Sequence, residues 1–146
     1  MDIGSLLRSH VERCLQDEFE LCRVVSDGDG DYPFAHESVV YFVGLQEHAD
    51  QWWVRVFCPL VVGVKRSAKL LGELNDLNAR TPLTKAVWHD GIVTIEGTLH
   101  ASALTRESLA RLCRSVASVS ADVGDMIALV YGGARTALPI RDEKTA

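Results

Sequence analysis

An α+β fold with an antiparallel sheet and helices packed mainly on one face is what this sequence predicts, and three observations predict it. Apolar residues recur with helical period in three segments, starting near Ser5, Ser67 and Thr105. Between them lie runs rich in Val, Phe, Trp and Ile, such as VVYFVGL and WWVRVFCPLVVGV, which suit a pleated, half-buried backbone. Short polar turns, Asp90-Gly91 above all, join such runs as antiparallel neighbours. The predicted order is α-β-β-β-α-β-β-α in a single domain over residues 1–133, with a C-terminal tail, 134–146, expected to be disordered.

The first helix is capped at Ser5 and turns Leu7, Val11, Cys14 and Leu15 to one side, with Arg8, Glu12, Arg13 and Gln16 opposite. Phe19–Ser26, rich in Leu and Val, reads as the first strand, ended by the polar loop Asp27–Asp31 and Pro33. His36–Gln46 and Gln51–Val64 read as the second and third strands, joined by a loop, Glu47–Asp50, short enough for a hairpin. The second helix starts near Ser67 with Leu70, Leu74 and Leu77 on one stripe. Pro82 holds Thr81 out of helical geometry and ends it. Leu83–His89 and Ile92–His100 form a hairpin about Asp90-Gly91, a dipeptide that tolerates the two positive φ angles of a type I′ turn. Thr105 caps the last helix, whose Leu109, Leu112, Cys113, Val116, Val119, Val123 and Ile127 keep the period for about five turns. Gly132-Gly133 stops it.

A chain of 146 residues is long enough to bury a core without metals or disulfides. Fifteen Lys and Arg against 20 Asp and Glu leave a net charge of -5, and the densest basic spot, Lys65-Arg66-Lys69, only approaches a helix. Phosphate neutralisation needs a basic stripe, so nucleic acid is not an expected partner. Cys14, Cys22, Cys58 and Cys113 form no C-x-x-C, fall inside predicted elements, and read as small buried hydrophobes in a reducing compartment. The N-terminus lacks the basic and apolar regions of a signal peptide. The longest apolar run, Val54–Val64, is broken by Arg55, Pro59 and Gly63 and is too short for a bilayer. A cytoplasmic protein without a membrane partner is expected.

Asp27-Gly28-Asp29-Gly30-Asp31 alternates carboxylates as calcium loops do, but an EF-hand counted from Asp27 needs Gly where Tyr32 stands and Glu where Ser38 stands. It reads as a turn. His10, His36, His48, His89 and His100 show no metal-binding spacing; His89 pairs with Ile92 across its turn, which leaves His100 far along the strand. No G-x-S-x-G elbow and no phosphate-binding loop occur. No catalytic residue, metal ligand or cofactor is assigned, and no enzyme is expected.

What stands out is the sheet. In the third strand Trp52, Val54, Val56 and Cys58 share one face, and Trp53, Arg55 and Phe57 the other. In the second, Val39, Tyr41, Val43 and Leu45 oppose Val40 and Phe42. Three helices over five strands cover one face but hardly two. The face with Trp53, Arg55, Phe57, Val40 and Phe42 is therefore either kept for a partner or buried by the chain's own helices or a like subunit.

The helix LLGELNDLN, the break at Pro82, the hairpin WHDGIVTIEGTL and a last helix opening as Leu104-Thr105-Arg106-Glu107-Ser108-Leu109 resemble the YbjN-like family, whose fold is that of type III secretion chaperones. Leu71, Leu74, Asn75, Leu77 and Asn78 supply the Leu-x-x-Leu-Asn-x-x-Asn flavour of its second helix, and the resemblance spans roughly Ser5–Tyr131. It implies a bacterial, chaperone-like homodimer that binds extended client protein or peptide against apolar patches, by strand pairing at a sheet edge. On that reading Trp53 and Phe57 anchor the partner, Arg55 meets a client carboxylate, and Val40 and Phe42 extend the surface. Leu71, Asn75 and Asn78 form a second helical stripe free to meet its symmetry mate. The competing class is a regulatory domain that senses a small molecule between the sheet and the last helix.

Overall fold

The computed structural model describes residues 2–136. It runs α1 (Ile3–Glu18), β1 (Tyr32–His36), β2 (Val39–His48), β3 (Gln51–Val62), α2 (Ala68–Arg80), β4 (Lys85–His89), β5 (Ile92–His100), a 3₁₀ turn (Ala101–Ala103), α3 (Arg106–Tyr131) and β6 (Ala134–Arg135). The antiparallel sheet has the order β1-β2-β3-β5-β4, and β6 pairs with the far end of β3. Two-residue turns close the β1–β2, β2–β3 and β4–β5 hairpins, and His89 stands opposite Ile92. Both Ala49-Asp50 (φ 52° and 61°) and Asp90-Gly91 (φ 50° and 82°) have the paired positive φ of a type I′ turn, whose twist matches that of the strands.

Burial alternates along the strands. Tyr41 and Val43 of β2, Val54, Val56 and Cys58 of β3, and Val93 and Ile95 of β5 are buried in one cluster with Leu109, Leu112, Cys113 and Val116 of α3. α1 packs on α3, and α2 on β4, so the helices gather on one face of the sheet. Ser67 and Thr105 cap α2 and α3 by accepting from the N–H of Leu70 and Ser108. The cap of α1 is Asp2, not Ser5; Ser5 N–H donates to Asp2 Oδ1 at 2.7 Å.

The expected first strand is where the structure departs most. Phe19–Ser26 forms no strand; β1 comes later and contains Pro33. Cys22, expected buried, is exposed there. Two local causes are visible. Glu20 (φ 54°) takes the left-handed position after the helix, and Leu21 N–H donates to Gln16 O, so the chain turns away from α1 in a Schellman-type stop. Next, Asp27–Asp31 is a hairpin turn: Gly30 N–H donates to Asp27 O at 3.1 Å, Asp27 N–H to Asp31 O at 2.7 Å, and Gly30 has φ 84°. Carrying that register back by two residues puts Val25 opposite Pro33, which has no N–H to give. Beyond that turn the incoming arm forms no strand.

The far end differs as well. Ala134–Arg135, assigned to the tail, form β6, and Thr136 donates its Oγ1–H to Pro59 O at 2.7 Å. Gly133 lets the chain return this closely, since a Cβ there would lie 2.6 Å from both Val61 and Val64 side chains. The rest of the expected tail, 137–146, lies outside the described residues.

A partly buried polar chain ties α1 to β1. Tyr32 OH donates to Glu12 Oε1 at 2.6 Å and accepts from Arg8 Nη1 at 2.9 Å, while Arg8 Nη1 also reaches Gly30 O. Burial, then the bond to Glu12, pushes the phenol up to about 12 from 10.0. Because the folded state holds this proton more tightly, the stability it contributes is intact below pH 10 and is lost as pH rises from about 10 towards about 12. The stability gap between the parent and Tyr32→Phe, measured by urea unfolding, is expected to narrow across that interval. A gap unchanged up to pH 11 would rule this out.

Candidate functional site

The strand alternation that fills the core also builds the opposite face. On β3, Gln51, Trp53, Arg55 and Phe57 point away from the helices, and Trp53, Arg55 and Phe57 are half-buried beside the fully buried Val54 and Val56. Val40 and Phe42 of β2 share this face and are also half-buried. Register brings three of the five together. Phe42 lies opposite Phe57 and Gly44 opposite Arg55. The Phe42 and Phe57 rings stack with centroids 5.4 Å apart, and the Arg55 guanidinium covers the Phe57 ring at 4.2 Å. Val40 lies two residues along β2 from Phe42, opposite Ala35.

Partners from β5 complete the surface, and sequence reasoning missed them. Glu96, opposite Phe57, accepts from Arg55 Nε at 2.7 Å, so the cation expected to await a client carboxylate already has one. His100, opposite Trp53, meets the indole edge-on with centroids 5.0 Å apart. Its Nδ1 accepts from Ser102 N–H, which leaves Nε2 as the donor to Gln51 Oε1 at 2.7 Å. The Trp53 Nε1–H is covered and has no acceptor among the described residues. Asp31 closes one side, its carboxyl pressed against Gly44. Burial raises its pKa first, Asp27 and Asp29 next, while Arg55 and Arg8 pull it down. The only signal in the sequence for Glu96 and His100 was their alternation in the last hairpin; which strand lies beside β3 is a long-range matter.

The three α2 residues do not share one surface. Leu71 and Asn75 are exposed, but Asn78 turns to the outer edge of β4. Its Nδ2–H donates to Ala86 O at 3.1 Å, and its Oδ1 accepts from Ala86 N–H at 2.6 Å. One amide thus satisfies the edge as a neighbouring strand would. A groove of about 240 Å³ between α2 and α3, floored by Leu70, Leu74, Leu77, Val123 and Ile127, opens to solvent. The interval between the sheet and α3 is filled by Leu109, Leu112, Cys113 and Val116.

Among the described residues no three His, Cys, Asp or Glu side chains are placed to hold a metal ion. No helix there is long and apolar enough to cross a membrane. The open face is a surface of aromatic rings and one ion pair.

Known structures share this architecture. The ExsC–ExsE complex matches with a TM-score of 0.63 and 15% identity, over 86% of this chain and 96% of that one. The HopA1–SchA chaperone–effector complex matches with a TM-score of 0.62 and 13% identity, over 86% and 98%. The Yersinia pestis type III secretion chaperone SycH, in complex with a stable fragment of YscM2, matches with a TM-score of 0.57 and 14% identity, over 79% and 98%. At these identities the likeness is one of fold, and the fold is that of type III secretion chaperones. No curated protein matches the sequence. Residues 5–139 match the model of a family of non-enzymatic chaperones, and on that match the chain belongs to the T3SS (YopN, CesT) and YbjN peptide-binding chaperone 1 family.

Proposed function

We propose that this protein is a cytoplasmic, homodimeric chaperone-like module that holds an extended partner segment on the open face of its sheet. The observation that carries this reading is the aromatic face itself: Phe42, Phe57 and Trp53 are only partly buried, on the side that the helices leave free. Aromatic anchors flanked by an arginine are the residue types that dominate interface energies. An extended chain gains its affinity from main-chain hydrogen bonds at a sheet edge and its selectivity from alternate side chains. Asn78 occupies the β4 edge at Ala86, which favours β1 as the docking edge.

On β1 the residues that alternate with those bonded to β2 are Ala35 and Pro33, both opposite non-bonded partners. Their outward carbonyls and the Ala35 N–H are what an incoming strand would meet. Arg55 keeps donors beyond its Nε for that chain's carbonyl or carboxylate oxygens.

The test is fluorescence anisotropy with a labelled 15-residue peptide carrying Leu at alternate positions, against a control with Ser in their place. Saturable binding of the first and none of the second is the expected result. Equal behaviour of the two peptides would defeat the reading.

The dimer is proposed to use the exposed stripe of α2 around Leu71 and Asn75, placed against its symmetry mate. Asn78 lies at the margin of that contact through its hold on β4. Leu71→Asp is expected to turn a sedimenting dimer into a monomer with unchanged far-UV dichroism. A variant that remains dimeric would remove α2 from the interface.

A further inference from the structure

Leu21–Ser26 has the composition of a strand and a hairpin turn at its end, yet no strand partner. Leu21 and Val25 stay 41% and 49% exposed, in a segment of high β-propensity that runs past the sheet's open edge. One of its ends is pinned to β1 and the other to the residue just before it. The Phe19 ring stacks on Phe34 with centroids 4.6 Å apart, and Asp27 N–H donates to Asp31 O. The turn between them already has the geometry that launches two paired strands.

From these contacts we infer that Leu21–Ser26 is a latent strand, kept off the outer edge of β1 by Pro33, and that it competes there with an incoming partner chain. The β1–β2 hairpin closes on His36 and Val39, so Phe34 and Tyr32 bond inwards to β2, whereas Ala35, Pro33 and Asp31 face outwards. Asp31 uses its outward carbonyl for Asp27. The next bonded pair in that register is Val25 with Pro33, and the one after is Arg23 with Ala35. A narrow antiparallel pair exchanges two N–H···O bonds, and proline can supply only the carbonyl. The ladder stops after its first rung. An arm zipped onto β1 would occupy the Ala35 N–H and C=O, the same groups that a partner strand needs. The competition rests on the reading of β1 as the docking edge; the latent strand does not.

Amide hydrogen exchange by NMR tests it, on the full chain and on Pro33→Ala and Pro33→Val, which restore the missing N–H at a position that makes no bond to β2. In the parent, the Arg23 and Val25 amides should exchange near the rate of an unstructured chain. In both variants they should slow at least tenfold, and Val25→Pro added to Pro33→Ala should abolish the slowing. Parent amides as protected as those of Phe34 and His36 would overturn the inference, as would folded variants without slowing. The alternating-Leu peptide distinguishes the two parts. Zipped variants should bind it at least tenfold more weakly. Slowed amides with undiminished binding would remove the competition and leave the latent strand standing; no binding by the parent would instead fault the docking reading.

Discussion

Trp53→Asp is expected to fold as the parent does and to lose at least about 30-fold in affinity for the alternating-Leu peptide, the loss of one interface anchor worth about 2 kcal/mol. The fold should stand because Trp53 lies on the open face: its indole meets His100 edge-on and its Nε1–H has no acceptor to lose among the described residues. The affinity should fall for two reasons. The ring's apolar area is gone, and an ionised carboxylate in its place must shed its water when a partner covers it. The check is anisotropy alongside far-UV dichroism and a thermal midpoint. A folded variant that binds as tightly as the parent would return this face to the status of ordinary sheet surface.

Gly97→Val is expected to produce the largest loss of stability, about 3 kcal/mol, at the upper end of what overpacking a filled core costs. Gly97 lies in β5 opposite Val56, and it is buried. A Cβ there would lie 2.5 Å from Leu112 Cδ1 and 2.7 Å from the Leu83 carbonyl oxygen. Leu112 can rotate in part; the Leu83 carbonyl is backbone leading into β4 and cannot move without shifting that strand. Urea unfolding reads the effect as a midpoint lowered by roughly 1–3 M, at the slopes typical of small proteins. A midpoint within about 0.2 M of the parent's would show that β4 and α3 yield more easily than a packed interior should.

These two variants probe opposite sides of the same sheet, and the sequence separated those sides correctly. Alternation in WWVRVFC put Trp52, Val54, Val56 and Cys58 on one face and Trp53, Arg55 and Phe57 on the other, because a strand's side chains point to opposite faces by covalent geometry alone; which face the helices cover was open until they were seen to pack. The caps at Ser67 and Thr105 and the turn at Asp90-Gly91 were legible for the same reason: each is settled by residues a few positions apart. Phe19–Ser26 was misread although its composition is that of a strand. What it lacks is a partner, and the obstacle, Pro33, sits on the other chain segment. Propensity gives way where the facing edge cannot supply the donor.

Sequence by itself therefore determined the three helices, the central strands with their two faces and the apolar character of both faces, since local periodicity carries that information. Only the tertiary structure decided that β5 lies against β3, bringing Glu96 to Arg55 and His100 to Trp53. The structure alone also showed Asn78 closing the β4 edge and β6 returning to β3. The reason is physical. Contacts between distant segments depend on which unpaired edges and filled volumes remain after every local element has formed, and no window of neighbouring residues contains that competition.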